Sequence, residues 1–235
     1  MSTQQPDDTL AVYADFVCPF CYLGRASLRT YLADRAAGAA DGDDATSDDG
    51  VADVSEVEAD LDVEWRFFDL RSQKRGPDGE IRDDVDDGKD EEYFAQVREN
   101  VERLKAQYGA EMLGLDEVPD VDSWATQQAA LYVKQSYDRA TFLSFYDAVL
   151  DAYWVDGRDI EQPDVVAELA ESVGVDGDEV RDAMGDESLS AELEQQFQQA
   201  QRLGISGVPT FVYGEHAARG AVPPEHLERL VEAEH

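Results

Sequence analysis

The chain has 235 residues, 43% of them hydrophobic, which is enough to bury a core in one or two domains without disulfide or metal staples. Its 54 Asp and Glu against 19 Lys and Arg give a formal net charge of −35, a surface that repels phosphate backbones and anionic lipid headgroups, so nucleic-acid and membrane-surface roles are excluded. The acids are spread along the chain, and molar salt, with a screening length of about 3 Å, would relieve their mutual repulsion.

That composition points to a halophilic, salt-rich cytosol; the plainer alternative is an acidic mesophilic protein with a disordered tail. The opening "MSTQQPDDTL" has no basic region and no long apolar run, so no secretory signal is read and a cytoplasmic location is expected. No apolar stretch reaches transmembrane length.

The first predicted strand is "TLAVYADF", Thr9 to Phe16, which ends at the motif "VCPFC". A helix follows from Pro19, with Leu23, Leu28, Tyr31 and Leu32 at helical spacing and Gly38 as its expected stop. Residues 39–60 are rich in Asp, Ser, Thr and Gly and read as an acidic loop insertion. In "LDVEWRFFDL", Leu61, Val63, Trp65 and Phe67 alternate onto one face, the mark of a second strand.

From about Glu91 to Leu203 the pattern is helical. Phe94, Val97, Val101, Leu104 and Tyr108 form one stripe, Asp122 or Ser123 caps the next helix, and Phe142, Leu143, Tyr146, Val149, Leu150 and Tyr153 point inward from another. Pro163 opens a further helix with Gly174 as its stop, and Ser188 to Gly204 forms one more. "ISGVPTFVYG" then reads as turn and strand, "HAARGAV" as a strand beyond a Gly214 turn, and Pro223 starts a closing helix.

Cys18 and Cys21 are the only cysteines, too few for a disulfide scaffold. With Pro19 as the first helical residue, Cys18 stands at the cap. Its sulfur is expected to be exposed, to face the unpaired first-turn amides, including that of Cys21, and to have its pKa lowered by them. Cys21 lies three residues on, on the same face, within reach of a disulfide. Cys18 would then exchange with a substrate disulfide or thiol while Cys21 resolves the mixed disulfide.

Other readings stay open. Zinc would need about four ligands, and only His216, His226 and His235 could join the cysteines, without paired spacing, so no metal is expected. Two inert buried thiols would not require a strand end, a proline and a helix start around them. Asp15 could serve proton transfer at the resolving thiol or simply be solvated. In "SGVPTF", Val208-Pro209 could be a cis peptide whose main chain pairs with an extended substrate, or an ordinary trans proline at a strand start.

Together "VCPFCYLG" and "GVPTFV", at opposite ends of a helical insert, with "AYWVDGRDI" and "ARGAVPPEHL", resemble the DsbA family of thioredoxin-fold oxidoreductases, its FrnE-like branch in particular. The resemblance covers nearly the whole chain except the acidic insertion. It implies an α/β protein with a thioredoxin-like fold and an inserted all-helical domain: residues 1–85 and 188–235 forming the thioredoxin-like part, 86–187 the insert. It further implies a nucleophilic Cys18, a resolving Cys21 and a cis Pro209 beside them; Pro19, Phe20, Val208 and Pro209 are the residues expected to meet the substrate.

Protein or small-molecule thiols and disulfides are the partners so implied. No cofactor is expected beyond the Cys18–Cys21 disulfide, with glutathione as a thiol the resemblance admits. The same branch holds 2-hydroxychromene-2-carboxylate isomerases and kappa-class glutathione transferases, which typically carry serine where this chain has cysteine. A non-catalytic peptide-binding or chaperone module is the third reading.

Overall fold

The computed structural model describes residues 9–40, 61–76, 79–82, 84–85, 88 and 90–232. The acidic insertion expected at 39–60 falls, from residue 41 on, outside these, as does His235.

Four strands form one sheet in the order β2-β1-β3-β4: β1 (Thr9–Ala14), β2 (Asp62–Phe67), β3 (Thr210–Tyr213) and β4 (His216–Arg219). β1 is central, and all six of its residues are buried, as a strand covered on both faces requires. It runs parallel to β2, with Ala14 opposite Phe67, and antiparallel to β3, with Tyr13 opposite Thr210. A parallel pair needs a long crossover. Helix α1 (Pro19–Ala40) lies in that connection. The sequence predicts its end at Gly38; the helix instead runs on to Ala40, because Gly38 keeps helical backbone rather than the left-handed turn that a glycine stop supplies. β3 and β4 form a hairpin closed by Gly214 and Glu215, and Gly214 takes the positive φ of 53° that this two-residue turn demands.

Between β2 and β3 the described residues form six helices: α2 (Glu91–Tyr108), α3 (Trp124–Ser136), α4 (Arg139–Trp154), α5 (Pro163–Ser172), α6 (Gly177–Ala183) and α7 (Glu187–Arg202). The last helix is α8 (Pro224–Glu232). Leu10, Val12 and Ala14 of β1 join Leu23, Leu28 and Leu32 of α1 and Phe142, Tyr146 and Trp154 of α4 in one apolar cluster. On the opposite face, Ala11 and Tyr13 pack with Phe68, Ala200 and Ile205. The core of the sheet and that of the helical block are therefore continuous. Among the described residues no helix is long and apolar enough to cross a membrane.

Candidate active site

β1 delivers the chain to the site and α1 leaves from it. Cys18 donates its amide to the Asp15 carbonyl at 3.2 Å, and its own carbonyl takes the amides of Cys21 (2.9 Å) and Tyr22 (3.3 Å). Cys18 thus caps α1 through its backbone, and Pro19 takes the first helical position, where a missing N–H costs nothing.

The sulfur does not sit where the sequence predicts. The Cys21 amide is taken by the Cys18 carbonyl, and the Cys18 thiol instead donates to the Val208 carbonyl at 3.4 Å. Nor is Cys18 exposed: it retains 3% of its accessible surface, because the Val208 loop offers it an acceptor and lies over it. Cys21 is equally buried, with Cys18 and Asp15 as its neighbours. Both are free thiols. Burial pushes the Cys21 thiol well above its ordinary range, and the neighbouring Cys18 and the charge of Asp15 push the same way.

The Val208–Pro209 peptide bond is cis, with Pro209 buried and Val208 half-buried. Thr210 fastens this loop by donating its hydroxyl to the Gly207 carbonyl at 2.7 Å, and Gly220 donates its amide to the Pro209 carbonyl at 2.8 Å. From α1, Gly24 faces the proline so closely that a Cβ there would stand 3.0 Å from Pro209 Cγ and 3.4 Å from Phe211 Cζ.

Asp15 is 2% exposed, which overturns its reading as a merely solvated acid. Its Oδ1 accepts from the Val17 amide (3.3 Å) and the Ser123 hydroxyl (2.5 Å), its Oδ2 from the Leu70 amide (2.9 Å). Burial pushes the carboxyl up to about 6; the three hydrogen bonds pull it down and the charge of Asp69 adds to the rise. Asp69 is itself held by Arg75 at 2.8 Å, and Arg75 also grips Asp122 and lies over the Trp124 ring at 4.4 Å.

Aromatic rings wall the site. Tyr146 lies 4.8 Å from Phe16 and 4.7 Å from Trp65, centroid to centroid, and its hydroxyl is pushed far up by burial and by Cys21. Trp154 donates its indole N–H to the Phe16 carbonyl at 2.8 Å. Pro19 and Phe20 open α1, both half-buried. The structure thus gathers Asp15, Cys18, Cys21, Val208 and Pro209, with Pro19 and Phe20 adjoining.

His216 and His226 sit exposed on β4 and α8. Among the described residues no group of three or more His, Cys, Asp or Glu is placed to hold a metal ion.

Sequence reasoning missed Ser123, Gln127, Tyr146 and Gly24. One signal was available: two adjacent glutamines, Gln127 and Gln128, stand inside an apolar helix, and both are buried. Ser123 is the N-cap residue of α3 but caps it through its carbonyl alone: Asp122 Oδ1 takes the Trp124 amide and the Ser123 hydroxyl goes to Asp15.

Known proteins match along nearly the whole length. The family described as the DSBA-like thioredoxin domain matches residues 9–232. A probable DsbA oxidoreductase from Streptomyces coelicolor superposes with a TM-score of 0.67 at 22% identity, over 97% of this chain and 91% of that one. A 2-hydroxychromene-2-carboxylate isomerase gives 0.66 at 18% identity, over 96% and 93%. The cytosolic disulfide reductase DsbM from Pseudomonas aeruginosa, solved with GSH, gives 0.58 at 19% identity, over 95% and 93%.

Proposed function

The chain belongs to the DSBA-like thioredoxin domain family, and from that premise we propose that it is a thiol–disulfide oxidoreductase working through Cys18 and Cys21. The observation that carries this is the Cys18 thiol at the start of α1, 3.4 Å from the Val208 carbonyl, with the buried Cys21 thiol three residues on. An extended substrate that pairs with the Val208 main chain, as an added strand would, displaces the thiol from that carbonyl and brings its own disulfide to the freed sulfur.

In the reducing direction the Cys18 thiolate attacks the substrate disulfide, forms a mixed disulfide and expels one substrate thiolate. Cys21 then gives its proton to Asp15 and attacks the Cys18 sulfur. The second substrate thiolate leaves, and the Cys18–Cys21 disulfide remains. Run backwards, the same steps oxidise a dithiol. Because its environment disfavours the Cys21 thiolate, a base beside it is needed, and the Asp15 carboxyl, at about 6, is largely ionised at neutrality and close enough in affinity to take up a proton.

Protein or small-molecule disulfides are the substrates, glutathione is a source of electrons, and a salt-rich cytosol is the setting the acidic composition favours. We assign the chain to the FrnE-like branch on "AYWVDGRDI" and "ARGAVPPEHL".

The isomerase-like fold favours a second reading, with the helical part shaping a pocket for an aromatic substrate. A cavity of about 230 Å³ does run along α1, walled by Tyr22, Arg25, Arg29, Tyr108 and Asp147, but neither cysteine nor Val208 lines it.

Insulin reduction in molar KCl separates the two. Cys18→Ser is expected to abolish turnover and Cys21→Ser to trap the mixed disulfide. Undiminished activity in Cys18→Ser refutes the oxidoreductase, and glutathione-dependent turnover of an aromatic substrate by Cys21→Ser favours the second reading.

A further inference from the structure

Asp15 lies in the thioredoxin-like part, but among the described residues the one side chain that donates to it comes from the helical block. Ser123 precedes α3, and its hydroxyl meets Asp15 Oδ1 at 2.5 Å. One turn on, Gln127, 1% exposed, places its amide nitrogen 3.2 Å from the Phe68 carbonyl and 3.0 Å from the Ser123 oxygen.

The polarity of this chain has one solution. A carbonyl oxygen only accepts, so the atom facing Phe68 O is the donor end of the amide, Nε2. The same nitrogen therefore donates to Ser123 Oγ. With its oxygen so engaged, the hydroxyl turns its own hydrogen to the remaining acceptor, Asp15 Oδ1. The amide oxygen of Gln127 is left buried without a partner, a penalty that the reversed amide would not lower, since it would set two acceptors face to face at Phe68.

We propose that Ser123 and Gln127 are positioning residues for the buried acid: Gln127, oriented by Phe68, locks Ser123 as a permanent donor to Asp15 Oδ1, so that the acid takes up a proton on Oδ2. Oδ1 already holds two donors, Val17 and Ser123, whereas Oδ2 holds only the Leu70 amide and keeps one acceptor position open. The Cys21 S–H bond breaks, the acid takes up the proton on Oδ2, and the electron pair left on sulfur attacks the Cys18 sulfur of the mixed disulfide, whose bond to the substrate sulfur breaks and releases the substrate thiolate. The helical block thereby sets the pH at which the dithiol resolves. The inference rests on the oxidoreductase assignment above for its function, though not for its geometry.

The groups facing Asp15 from each packed element are Cys18 at the cap of α1 and Cys21 on it, Asp69 with its Arg75 after β2, and Tyr146 and Tyr153 on α4. None of these is altered by Ser123→Ala, which adds no charge, so a shift in Asp15 in that variant reports the lost donor.

The test is the titration of Asp15 in the reduced protein by carbon-13 aspartate NMR, its resonance identified by loss in Asp15→Asn. Ser123→Ala removes a donor to the charged form and is expected to raise the midpoint by roughly one pH unit, the scale of one hydrogen bond to a charge. Ser123→Thr keeps the hydroxyl and restores the midpoint. Gln127→Glu reverses the polarity, drawing the Ser123 hydrogen to the new carboxylate, and raises the midpoint further than Ser123→Ala. Midpoints for Ser123→Ala and Gln127→Glu that stay on the wild-type curve overturn the proposal; if Gln127→Glu does not fold, Ser123→Ala decides alone. The titration needs no turnover, so a shifted midpoint in a protein without exchange activity sinks the oxidoreductase assignment and leaves the relay standing. An active protein with unshifted midpoints does the reverse.

Discussion

Cys18 and Val208, 190 residues apart in sequence, close the site between them through the thiol-to-carbonyl hydrogen bond of 3.4 Å. With Cys18 at 3% exposure, exchange with any substrate requires the Val208 loop to yield or to be engaged.

The fastening of that loop sets how often it opens. Thr210→Val keeps the shape but removes the hydroxyl that holds the Gly207 carbonyl. The expected loss is about 1 kcal/mol, and if it falls on loop opening, Cys18 alkylates roughly fivefold faster. Iodoacetamide labelling followed by mass spectrometry checks this; an unchanged rate means that the loop does not gate the thiol.

Asp15 makes stability depend on pH in a defined direction. Its carboxyl rises from an ordinary 3.8 to about 6 on folding, so the folded state holds the proton more tightly than the unfolded one. The contribution is fully present below about pH 4 and is lost as pH rises through 6, an order-of-magnitude cost of about 3 kcal/mol by neutrality. Urea unfolding of wild type and Asp15→Asn at intervals from pH 4 to 7 isolates this group from the other acids. The wild type is expected to weaken relative to the variant with rising pH, and parallel curves would contradict the assignment.

Gly24 holds α1 close to Pro209. Alanine there favours the helix by about 1 kcal/mol, but its Cβ would press to 3.0 Å against a proline ring that the chain cannot swing aside, and such overpacking costs about 1–3 kcal/mol. Gly24→Ala is therefore expected to lower the thermal midpoint and, by displacing Pro209, to raise KM for a disulfide-containing peptide more than it lowers kcat. A more stable variant with wild-type KM would show that the loop adapts freely.

Arg25 and Asp147 form the buried ion pair of α1 and α4, at 3.0 Å, with the Arg25 side chain 3% exposed. Arg29 joins the same carboxylate from a half-exposed position. Asp147→Asn takes the carboxylate from a buried guanidinium and is expected to cost about 3–5 kcal/mol. Arg29→Ala is expected to cost about 1 kcal/mol at most. Equal losses in chemical denaturation would mean that Arg25 finds other compensation.

What the sequence disclosed was local. The alternation in β2, the strand ending at the cysteines and the proline opening α1 each follow from neighbours a few residues apart, and each stands in the structure. What it concealed depended on distant partners. Nothing within "DFVCPFC" says that a carbonyl from the Val208 loop will claim the Cys18 sulfur, and Ser123 lies 108 residues from the aspartate it serves. Gly38 shows the limit of a local rule, since a glycine ends a helix only where the chain turns left-handed.

Trp154 holds the carbonyl of Phe16, two residues before Cys18, and the apolar core runs unbroken from the strands into the helical block. The block is no bolt-on accessory. A change in its packing that moves Trp154 or Ser123 also moves the backbone two residues before the sulfur or a donor of the buried acid, so the helices and the thiol site cannot be remodelled one without the other.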